Sequence, residues 1–435
     1  MTLTNGTPAV LSPFPHREGG RGGRSSLDVA VVGGGVVGCA VAYYLARAGA
    51  RVTVLERDRI AAEASSAAAG MLAPLAEDSG PGPFLDLALA SLSRHGPLAA
   101  ELRATTGIDV ELLTPGLLRL ALDDAEAADL QAALAWQRDL GLPVRWLDGA
   151  EVRELEPLVA PHVRGAIHSE AEHQVNPPRL TEALARAAAV HGATFQLGAT
   201  ARGLVRRGDR VEGVRLADGD LPADHVVLAA GAWAAACSDW LDTPVPVHPI
   251  KGQMLAVLPP PGLGAHPTQP EPHPSPPSIG GPGGPSSDSC LSPSIIGGPL
   301  RHTLYGRDGY LVPKADGTIY VGATVERAGF DRRVTPAGLG ALLALLPKLA
   351  PALANATFVR AWAGLRPGTP DHLPILGPAP GLHGLSLATG HYRNGILLAP
   401  ITGELIAQAV LGQPTALPLA PFSVERFAAV AAKGQ

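Results

Sequence analysis

The sequence has few of the residues that mark secreted, metal-binding or membrane proteins. It contains only three cysteines, Cys39, Cys237 and Cys290, without a C-x-x-C pair or a histidine cluster at metal-ligand spacing. This scarcity argues against a disulfide framework and a metal site, and it favours a reducing cytoplasm. No apolar run approaches the roughly 18 residues that a membrane-spanning helix needs. Residues 1–26 also lack the apolar core of a signal peptide.

The sequence has no excess of basic residues. Its 34 Lys and Arg residues against 39 Asp and Glu residues give a formal net charge of −5, which leaves no basic footprint for nucleic acid. Hydrophobic residues make up 46% of the chain and charged residues 17%, as in a globular protein. A length of 435 residues favours two domains over a single core.

Two segments have compositions that are typical of disorder. Residues 1–26, rich in Pro, Gly and Arg, predict a disordered tail. Residues 259–299 contain 13 prolines and 8 glycines, two acidic residues and no Lys or Arg. Such a composition buries too little apolar surface to offset the entropy of ordering, so a disordered surface insertion is predicted. A Pro-rich partner-binding segment is the alternative, although no P-x-x-P array with flanking basic residues is present.

Hydrophobic periodicity predicts a βαβ unit near the start, with a strand at Asp28–Val32, a helix at 36–48 and a strand at 51–55. Further elements are predicted downstream as helices 84–105, 124–140, 178–191 and 395–411 and as strands 193–197 and 225–231. Segments of the dinucleotide-binding type thus occur near the start, in the middle and near the end of the sequence. We therefore expect a discontinuous cofactor domain of residues 27–115, 172–240 and 365–430, and a substrate domain of residues 116–171 and 241–364.

The turn after the first strand carries the motif G-x-G-x-x-G in the sequence GGGVVG. Gly33 permits the tight turn, Gly35 lets a phosphate approach the backbone, and Gly38 allows the helix to pack on the strand. The helix start then offers free amides and a positive dipole end to a pyrophosphate. Glu56, after the second strand, is placed to accept both ribose hydroxyls. A plain strand–helix connection is the alternative.

The run SSAAAGM at residues 65–71 favours FAD over NAD, because small residues and hydroxyls leave room for a bulky ring system. Taken alone, it could equally begin an alanine-rich helix. Arg366 lies in an apolar, strand-like run, where a buried guanidinium needs an anionic partner. Its planar fork matches a carboxylate. The alternative is a structural ion pair with an Asp or Glu of the other domain.

Five segments in this order resemble the D-amino-acid oxidase family of FAD-dependent oxidoreductases, and within it the glycine oxidases of thiamine biosynthesis. They are the glycine turn with Glu56, SAAAGM at 66–71, AGAW at 230–233, WAGLRPGT at 362–369 and GHYRNGILLAP at 390–400. The resemblance covers residues 27–425 apart from the insertion. It implies an α/β fold (α+β overall) with a Rossmann-like FAD-binding domain and a substrate domain that has a mixed or antiparallel sheet.

The resemblance implies non-covalent FAD, since no cysteine lies where sarcosine oxidases attach their flavin. The expected cofactor contacts are Gly33, Gly35, Val36, Val37, Gly38, Glu56, Arg57, Ala64, Ser65, Ser66, Ala69, Gly70, Met71, Ala201, Gly231, His391, Tyr392, Arg393, Asn394, Gly395, Ile396 and Leu397.

The resemblance also implies that Arg366 and Tyr310 bind the substrate carboxylate and that Arg393 lies beside flavin and substrate. For an isolated tyrosine in a strand, simple core packing would be the alternative. No dedicated catalytic acid or base is expected, because the protein need only orient the amine for hydride transfer. The implied reaction oxidises glycine, sarcosine or D-alanine with O2, giving an imine and H2O2. The implied partners are thiazole synthase, which would take the imine, and further copies in a homotetramer.

Three rival functions stay open at this point. A dehydrogenase for D-amino acids or sarcosine on the same fold would pass electrons to an acceptor other than oxygen. A flavin-holding assembly subunit without redox turnover conflicts with two arginines that would lack a ligand. An NAD enzyme is disfavoured by the C-terminal motifs.

Overall fold

Two large β-sheets organise the chain, seen here in a computed structural model that describes residues 26–77, 80–263 and 298–428. The predicted tail, apart from Ser26, and residues 264–297 of the predicted insertion lie outside these ranges. Mixed α/β architecture with separate sheets confirms the predicted fold class.

The first sheet has six strands, and its centre is the predicted βαβ unit. The strands are β1 (Asp28–Val32), β2 (Arg51–Glu56), β8 (Thr194–Leu197), β12 (His225–Leu228), β18 (Ile375–Pro378) and β19 (Leu385–Thr389). Their order is β18-β19-β12-β1-β2-β8, and only β18 runs antiparallel to its neighbour. Both β1 and β12 consist largely of buried valine and leucine, as expected for strands that are covered on both faces.

Four longer helices belong to the same layered unit, namely α1 (Val36–Arg47), α4 (Pro83–Thr106), α7 (Pro177–Val190) and α9 (Gly395–Val410). Helix α1 is buried nearly all round because it packs against α7 and α9 as well as the sheet. The approach of α1 and α9 is close, since a Cβ on Gly403 would lie 2.7 Å from the Tyr44 ring. This packing fixes the N-termini of α1 and α9.

The second sheet has eight strands and is mixed, with mostly antiparallel pairs. The strands are β4 (Leu117–Ala121), β5 (Val144–Asp148), β6 (Gly165–Ser169), β13 (His248–Leu258), β14 (Thr303–Gly306), β15 (Gly309–Pro313), β16 (Ile319–Gly322) and β17 (Thr357–Gly368). Their order is β17-β13-β16-β15-β14-β4-β6-β5, and β4 with β14 is the parallel pair. Leucines of helix α8 (Pro336–Leu349) complete the apolar core on one face.

The remaining elements are short or peripheral. They are β3 (Met71–Leu72), β7 (His173–Gln174), β9 (Gly203–Arg207), β10 (Arg210–Arg215), β11 (Asp220–Pro222), α2 (Ala64–Ala67), α3 (Pro74–Glu77), α5 (Asp124–Asp139), α6 (Gly149–Leu155) and the 3₁₀ helices at Gly231–Trp240, Pro351–Leu353, Ala420–Phe422 and Val424–Phe427. Across the described ranges, no helix combines the length and apolarity that crossing a membrane requires.

The other face of the eight-stranded sheet is turned toward the cofactor unit. Opposite residues in neighbouring strands share a face, so Trp362, Met254, Gly322 and Tyr310 form one row across β17, β13, β16 and β15. Contacts between β17 and α2 join this face to the first unit, where a Cβ on Gly364 would lie 2.5 Å from that of Ala67. The active-site candidate lies between the two sheets.

Candidate active site

The glycine turn between β1 and α1 is built for close backbone approach. Gly33 has a φ of +117°, and a Cβ there would lie 2.4 Å from the carbonyl oxygen of Ala229. A Cβ on Gly38 would lie 1.9 Å from the carbonyl oxygen of Gly33. Neither position accepts a side chain without moving backbone, so the turn brings the N-terminus of α1 to the cavity edge. The Val36 amide there donates to Ser65 Oγ at 2.9 Å.

Glu56 ends β2 beside this turn. Its Oε2 accepts from the Gly34 amide at 2.7 Å, and its Oε1 accepts from the Asp58 amide at 2.9 Å. Each carboxylate oxygen keeps a further lone pair, so the predicted ribose contact is chemically compatible with these bonds. The role of Glu56 toward a ribose stays a prediction.

Two cavities adjoin at the glycine turn and together form one long cleft. Their empty volumes, part of which is open to solvent, are about 1120 and 1090 Å³, and they share Gly35, Ala64, Ser65, Ala229 and Gly231 as lining residues. One of them, the Glu56 cavity, also reaches Gly33, Glu56, Arg57 and Ala201. At its end the Arg57 guanidinium lies over the Trp233 ring, 3.8 Å from the ring centroid, and Phe330 stacks on the same ring at 5.4 Å.

The other, the Arg366 cavity, brings together segments that are distant in sequence. Its lining includes the predicted residues Val36, Val37, Ala69, Gly70, Met71, Tyr310, Arg366, His391, Tyr392, Arg393, Asn394, Gly395 and Ile396. A glycine cradle, a helix start at the cavity edge and a cleft that continues past it fit an extended dinucleotide such as FAD. The cleft thus unites the N-terminal and C-terminal motifs.

Three predicted cofactor residues do not line either cavity. Gly38 packs against Gly33, as its missing Cβ requires. The Ser66 hydroxyl donates to the Glu63 carbonyl, and the Leu397 side chain is 1% exposed. The Leu397 carbonyl accepts from Ser91 Oγ at 2.6 Å. These residues support neighbouring segments, and the expectation that Ser66 and Leu397 contact the cofactor stays a prediction.

The N-terminus of α9 opens onto the Arg366 cavity. Before it, the Tyr392 amide donates to the Pro367 carbonyl at 2.9 Å, which ties this loop to the strand of Arg366. His391 is 3% exposed, and its Nε2 lies 3.0 Å from the Thr402 hydroxyl. Burial lowers the pKa of His391 to about 3, so the ring is neutral at physiological pH. A structural role agrees better with these contacts than a role as a base.

Arg366 projects from β17 into the cavity with its charge uncompensated by the described residues. Its Nη1 donates to the Thr324 carbonyl at 3.1 Å, and in the described ranges no carboxylate lies within ion-pair distance. The Tyr310 hydroxyl lies beside the guanidinium. Burial raises the pKa of Tyr310, so the hydroxyl remains a donor. Space for the guanidinium comes from Gly252, where a Cβ would lie 2.3 Å from Nη1.

Arg393 lines the same cavity but is already paired. Its Nε lies 2.8 Å from Glu77 Oε2, and its Nη2 donates to the Tyr305 hydroxyl at 3.0 Å. The structural ion pair considered for Arg366 therefore occurs at Arg393 instead. The expectation that Arg393 lies beside flavin and substrate stays a prediction: Arg393 lines the same cavity as Arg366, and its guanidinium already pairs with a carboxylate.

Sequence reasoning missed several residues of the cavity wall. Glu77 and Met254 line the cavity without any motif to mark them. Lys314 directly follows the GYLVP motif and is buried behind Ala69. Its ammonium donates to the Ala69 carbonyl at 2.5 Å and to Gln174 Oε1 at 3.0 Å. Burial lowers the pKa of Lys314 to about 7. Its position after GYLVP was the one available signal.

Comparisons with known proteins agree with this geometry. A sequence model described as FAD dependent oxidoreductase (DAO) matches residues 28–283 and 285–409. Glycine oxidase of Geobacillus kaustophilus is 38% identical over 408 residues, which are 92% of this chain and 97% of that protein. Its crystal structure superposes with a TM-score of 0.81 at 37% identity, over 92% of this chain and 99% of that one.

Two further relatives extend the comparison. The bifunctional protein ThiO/ThiG of Synechocystis sp. is 37% identical over 406 residues, which are 93% of this chain but 54% of that protein. The crystal structure of iminodiacetate oxidase from Chelativorans sp. BNC1 has a TM-score of 0.77 at 28% identity, over 91% of this chain and 98% of that one.

Proposed function

Because this chain belongs to the family of FAD-dependent oxidoreductases of the D-amino-acid oxidase type, we propose that it oxidises glycine at Cα. The chain is thus an FAD-dependent amino-acid oxidase, as its similarity to glycine oxidases over nearly their whole length indicates. Glycine as the preferred substrate, with sarcosine and D-alanine as further substrates, is the proposal. Oxygen as the electron acceptor is also part of the proposal.

The observation that carries the proposal is the pair Arg366 and Tyr310. Within the described ranges, Arg366 is a cation of the cavity that has no carboxylate partner, and a hydroxyl donor lies beside it. A guanidinium and a hydroxyl together match the two oxygens of an α-carboxylate. Ala69, Met71 and Met254 contribute small or apolar side chains to the same cavity wall. Such a cavity suits a small amino acid.

The chain's residues then need only hold and orient the substrate. FAD, when bound, supplies the chemistry by taking the Cα hydrogen of the amine as a hydride. Arg366 and Tyr310 fix the carboxylate, which limits the positions that Cα can take. Helix α9 begins at Gly395, which lines the cavity, and the positive dipole end of this helix would stabilise negative charge that develops there. Glycine would leave as its imine while O2 becomes H2O2, and water would hydrolyse free imine to glyoxylate and ammonia.

A role in thiamine biosynthesis is supported by the ThiO/ThiG relatives. In those proteins the part that resembles this chain is about half of a bifunctional protein. We infer that this chain supplies glycine imine to a separate thiazole synthase. Cytoplasmic location and a homotetramer belong to the same proposal and rest on the cysteine content and on the family resemblance.

The test is steady-state oxidation of glycine, sarcosine and D-alanine in air, with H2O2 measured directly. We expect one H2O2 per amino acid oxidised and the highest kcat/KM among the three for glycine. Turnover with an artificial acceptor but without H2O2 would favour the alternative, a dehydrogenase of the same fold. No turnover of any of the three in either assay would reject the proposed function.

A further inference from the structure

Glu77 forms a partly buried ion pair inside the substrate cavity that the proposed reaction does not use. Its side chain is 8% exposed, and Oε2 lies 2.8 Å from Arg393 Nε. Its Oε1 accepts from the Tyr305 hydroxyl at 3.1 Å, while that hydroxyl accepts from Arg393 Nη2 at 3.0 Å. Glu77, Arg393 and Tyr305 therefore form a closed triangle, in which each group contacts the other two.

This triangle is close to the proposed carboxylate site. Glu77 and Arg393 line the same cavity as Arg366 and Tyr310. The Tyr305 and Tyr310 rings stack with centroids 6.0 Å apart, and the Tyr310 hydroxyl lies within electrostatic reach of both arginines and of Glu77. One cavity thus contains two guanidinium groups. One of them faces a carboxylate, and the other has none in the described part of the chain.

From this asymmetry we propose that Glu77 is a specificity-determining residue that restricts the enzyme to amino acids with a single carboxylate. The inference rests on the proposed function, because it assumes that Arg366 binds the substrate α-carboxylate. A second carboxylate on the substrate would find Arg393 occupied and would face the negative charge of Glu77. Such a like-charge contact selects against the wrong ligand without improving binding of the right one.

The position of Glu77 is fixed independently of the substrate. It ends helix α3, whose first amides, those of Leu75 and Ala76, donate to Glu172 Oε1 at 2.7 and 3.1 Å. Glu172 is buried in the protein. The carboxylate of Glu77 is therefore held against Arg393 before any ligand arrives, as a selective element requires.

The decisive variant is Glu77→Gln, which keeps the size and the acceptor for Tyr305 but removes the charge. With purified holoenzyme, kcat/KM is measured for iminodiacetate and for sarcosine, which share a secondary amine and differ in the second carboxylate. We expect the iminodiacetate-to-sarcosine ratio to rise by about tenfold or more over wild type, since Arg393 becomes available. An unchanged ratio would overturn the proposal.

A second readout does not depend on turnover. Malonate and acetate are titrated into the holoenzyme, and binding is followed by the perturbation of the flavin absorbance spectrum. Glu77→Gln should strengthen malonate binding relative to acetate by about tenfold. If wild-type enzyme fails to oxidise glycine, the proposed function is rejected, whereas this ratio still reports on Glu77. Equal changes for the two acids would contradict the role of Glu77.

Glu404→Gln is the matched control. Glu404 pairs with Arg94, and the exposed fractions of that pair, 3% and 27%, resemble the 8% and 32% of Glu77 and Arg393. The described lining of both cavities does not include Glu404. The Glu404→Gln variant should leave the iminodiacetate-to-sarcosine ratio and the malonate-to-acetate ratio at their wild-type values. A rise like that of Glu77→Gln would show a general effect of losing a buried charge and would overturn the proposal.

The Arg393→Gln variant tests the same ion pair from its other partner, and this test remains decisive even if Glu77→Gln does not fold. It leaves Glu77 without its cation, so malonate binding relative to acetate should fall about tenfold below wild type. The double variant Glu77→Gln/Arg393→Gln should lose the gain seen in the single Glu77 variant. A malonate-to-acetate ratio in Arg393→Gln that equals or exceeds the wild-type ratio would contradict the proposal.

Discussion

Arg366 and Arg393 line one cavity, and their surroundings give them different chemistry. Arg393 has Glu77 at 2.8 Å, whereas Arg366 donates to a backbone carbonyl and is matched by no carboxylate in the described residues. A partly buried guanidinium in that state is costly until an anion binds to it. Of the two arginines, Arg366 is therefore the one at which binding of a substrate carboxylate gains more free energy.

Replacing Arg366 tests this assignment. Arg366→Ala should lower glycine kcat/KM by an amount equivalent to about 2–5 kcal/mol, the usual cost of removing one partner of a buried charge pair. Arg366→Lys should fall between wild type and alanine, because an ammonium keeps the charge but not the planar fork. Steady-state kinetics on FAD-loaded protein measures both.

Arg47→Ala is a fitting control for Arg366, since Arg47 is a half-buried arginine in the last turn of α1 and pairs with Glu101. The kcat/KM of the Arg47→Ala variant for glycine should stay near the wild-type value. Unchanged kcat/KM in Arg366→Ala would show that the substrate carboxylate binds elsewhere.

Residues inside local motifs could be predicted from the sequence, whereas residues that act through distant partners could not. Gly33 and Arg366 sit in short segments whose chemistry is visible in the sequence itself. Glu77 lies in an ordinary stretch of sequence, and its partner Arg393 lies in the loop just before α9. Only the packing of the two units places them together, so the ion pair could not be inferred from either segment alone.

At the scale of elements, helices α1, α4, α5, α7 and α9 were predicted, whereas helix α8, the long strand β13 and the short helix α3 were not. The strand and helix of β1 and α1 follow from their apolar pattern, and the structure confirms both. Helix α3 has four residues and depends on a capping carboxylate from a distant segment. Elements of that length are stabilised by tertiary contacts rather than by their own sequence. The boundaries of the two domains stay a prediction.

Glu172, which caps α3, should make stability depend on pH. Burial raises the pKa of Glu172 from 4.5 to about 7. Between these values the folded state holds a proton that the unfolded state has released, so its contribution to stability is present at low pH and is lost as pH rises toward 7. One pKa unit corresponds to about 1.4 kcal/mol, so across this range the free energy of unfolding of wild type should fall by about 3 kcal/mol relative to that of Glu172→Gln.

Denaturant unfolding of both holoproteins at pH 4.5 and 7.5 measures this difference. Glutamine keeps the oxygen that accepts from the Leu75 amide, so the comparison isolates the charge. Other titrating groups contribute equally to both proteins and cancel. The assignment would be contradicted if the difference in free energy of unfolding between wild type and variant stayed constant with pH, or if it changed in favour of wild type as pH rises.

At the scale of the molecule, the function arises from the meeting of two sheets. The six-stranded sheet and its helices provide the glycine turn and the two helix starts, and the eight-stranded sheet provides Arg366 and Tyr310. The cleft between them is lined by segments from both ends of the chain. The order of motifs along the sequence predicted this meeting through a family resemblance, while the geometry of the two arginines required the folded chain.

Anaerobic mixing of the purified protein with glycine tests the central claim most directly. The account predicts a yellow protein whose flavin absorbance bleaches at a rate that saturates with glycine, and whose colour returns on exposure to air with release of one H2O2 per glycine. A protein that takes up no FAD, or a yellow protein whose spectrum glycine leaves unchanged, would contradict it.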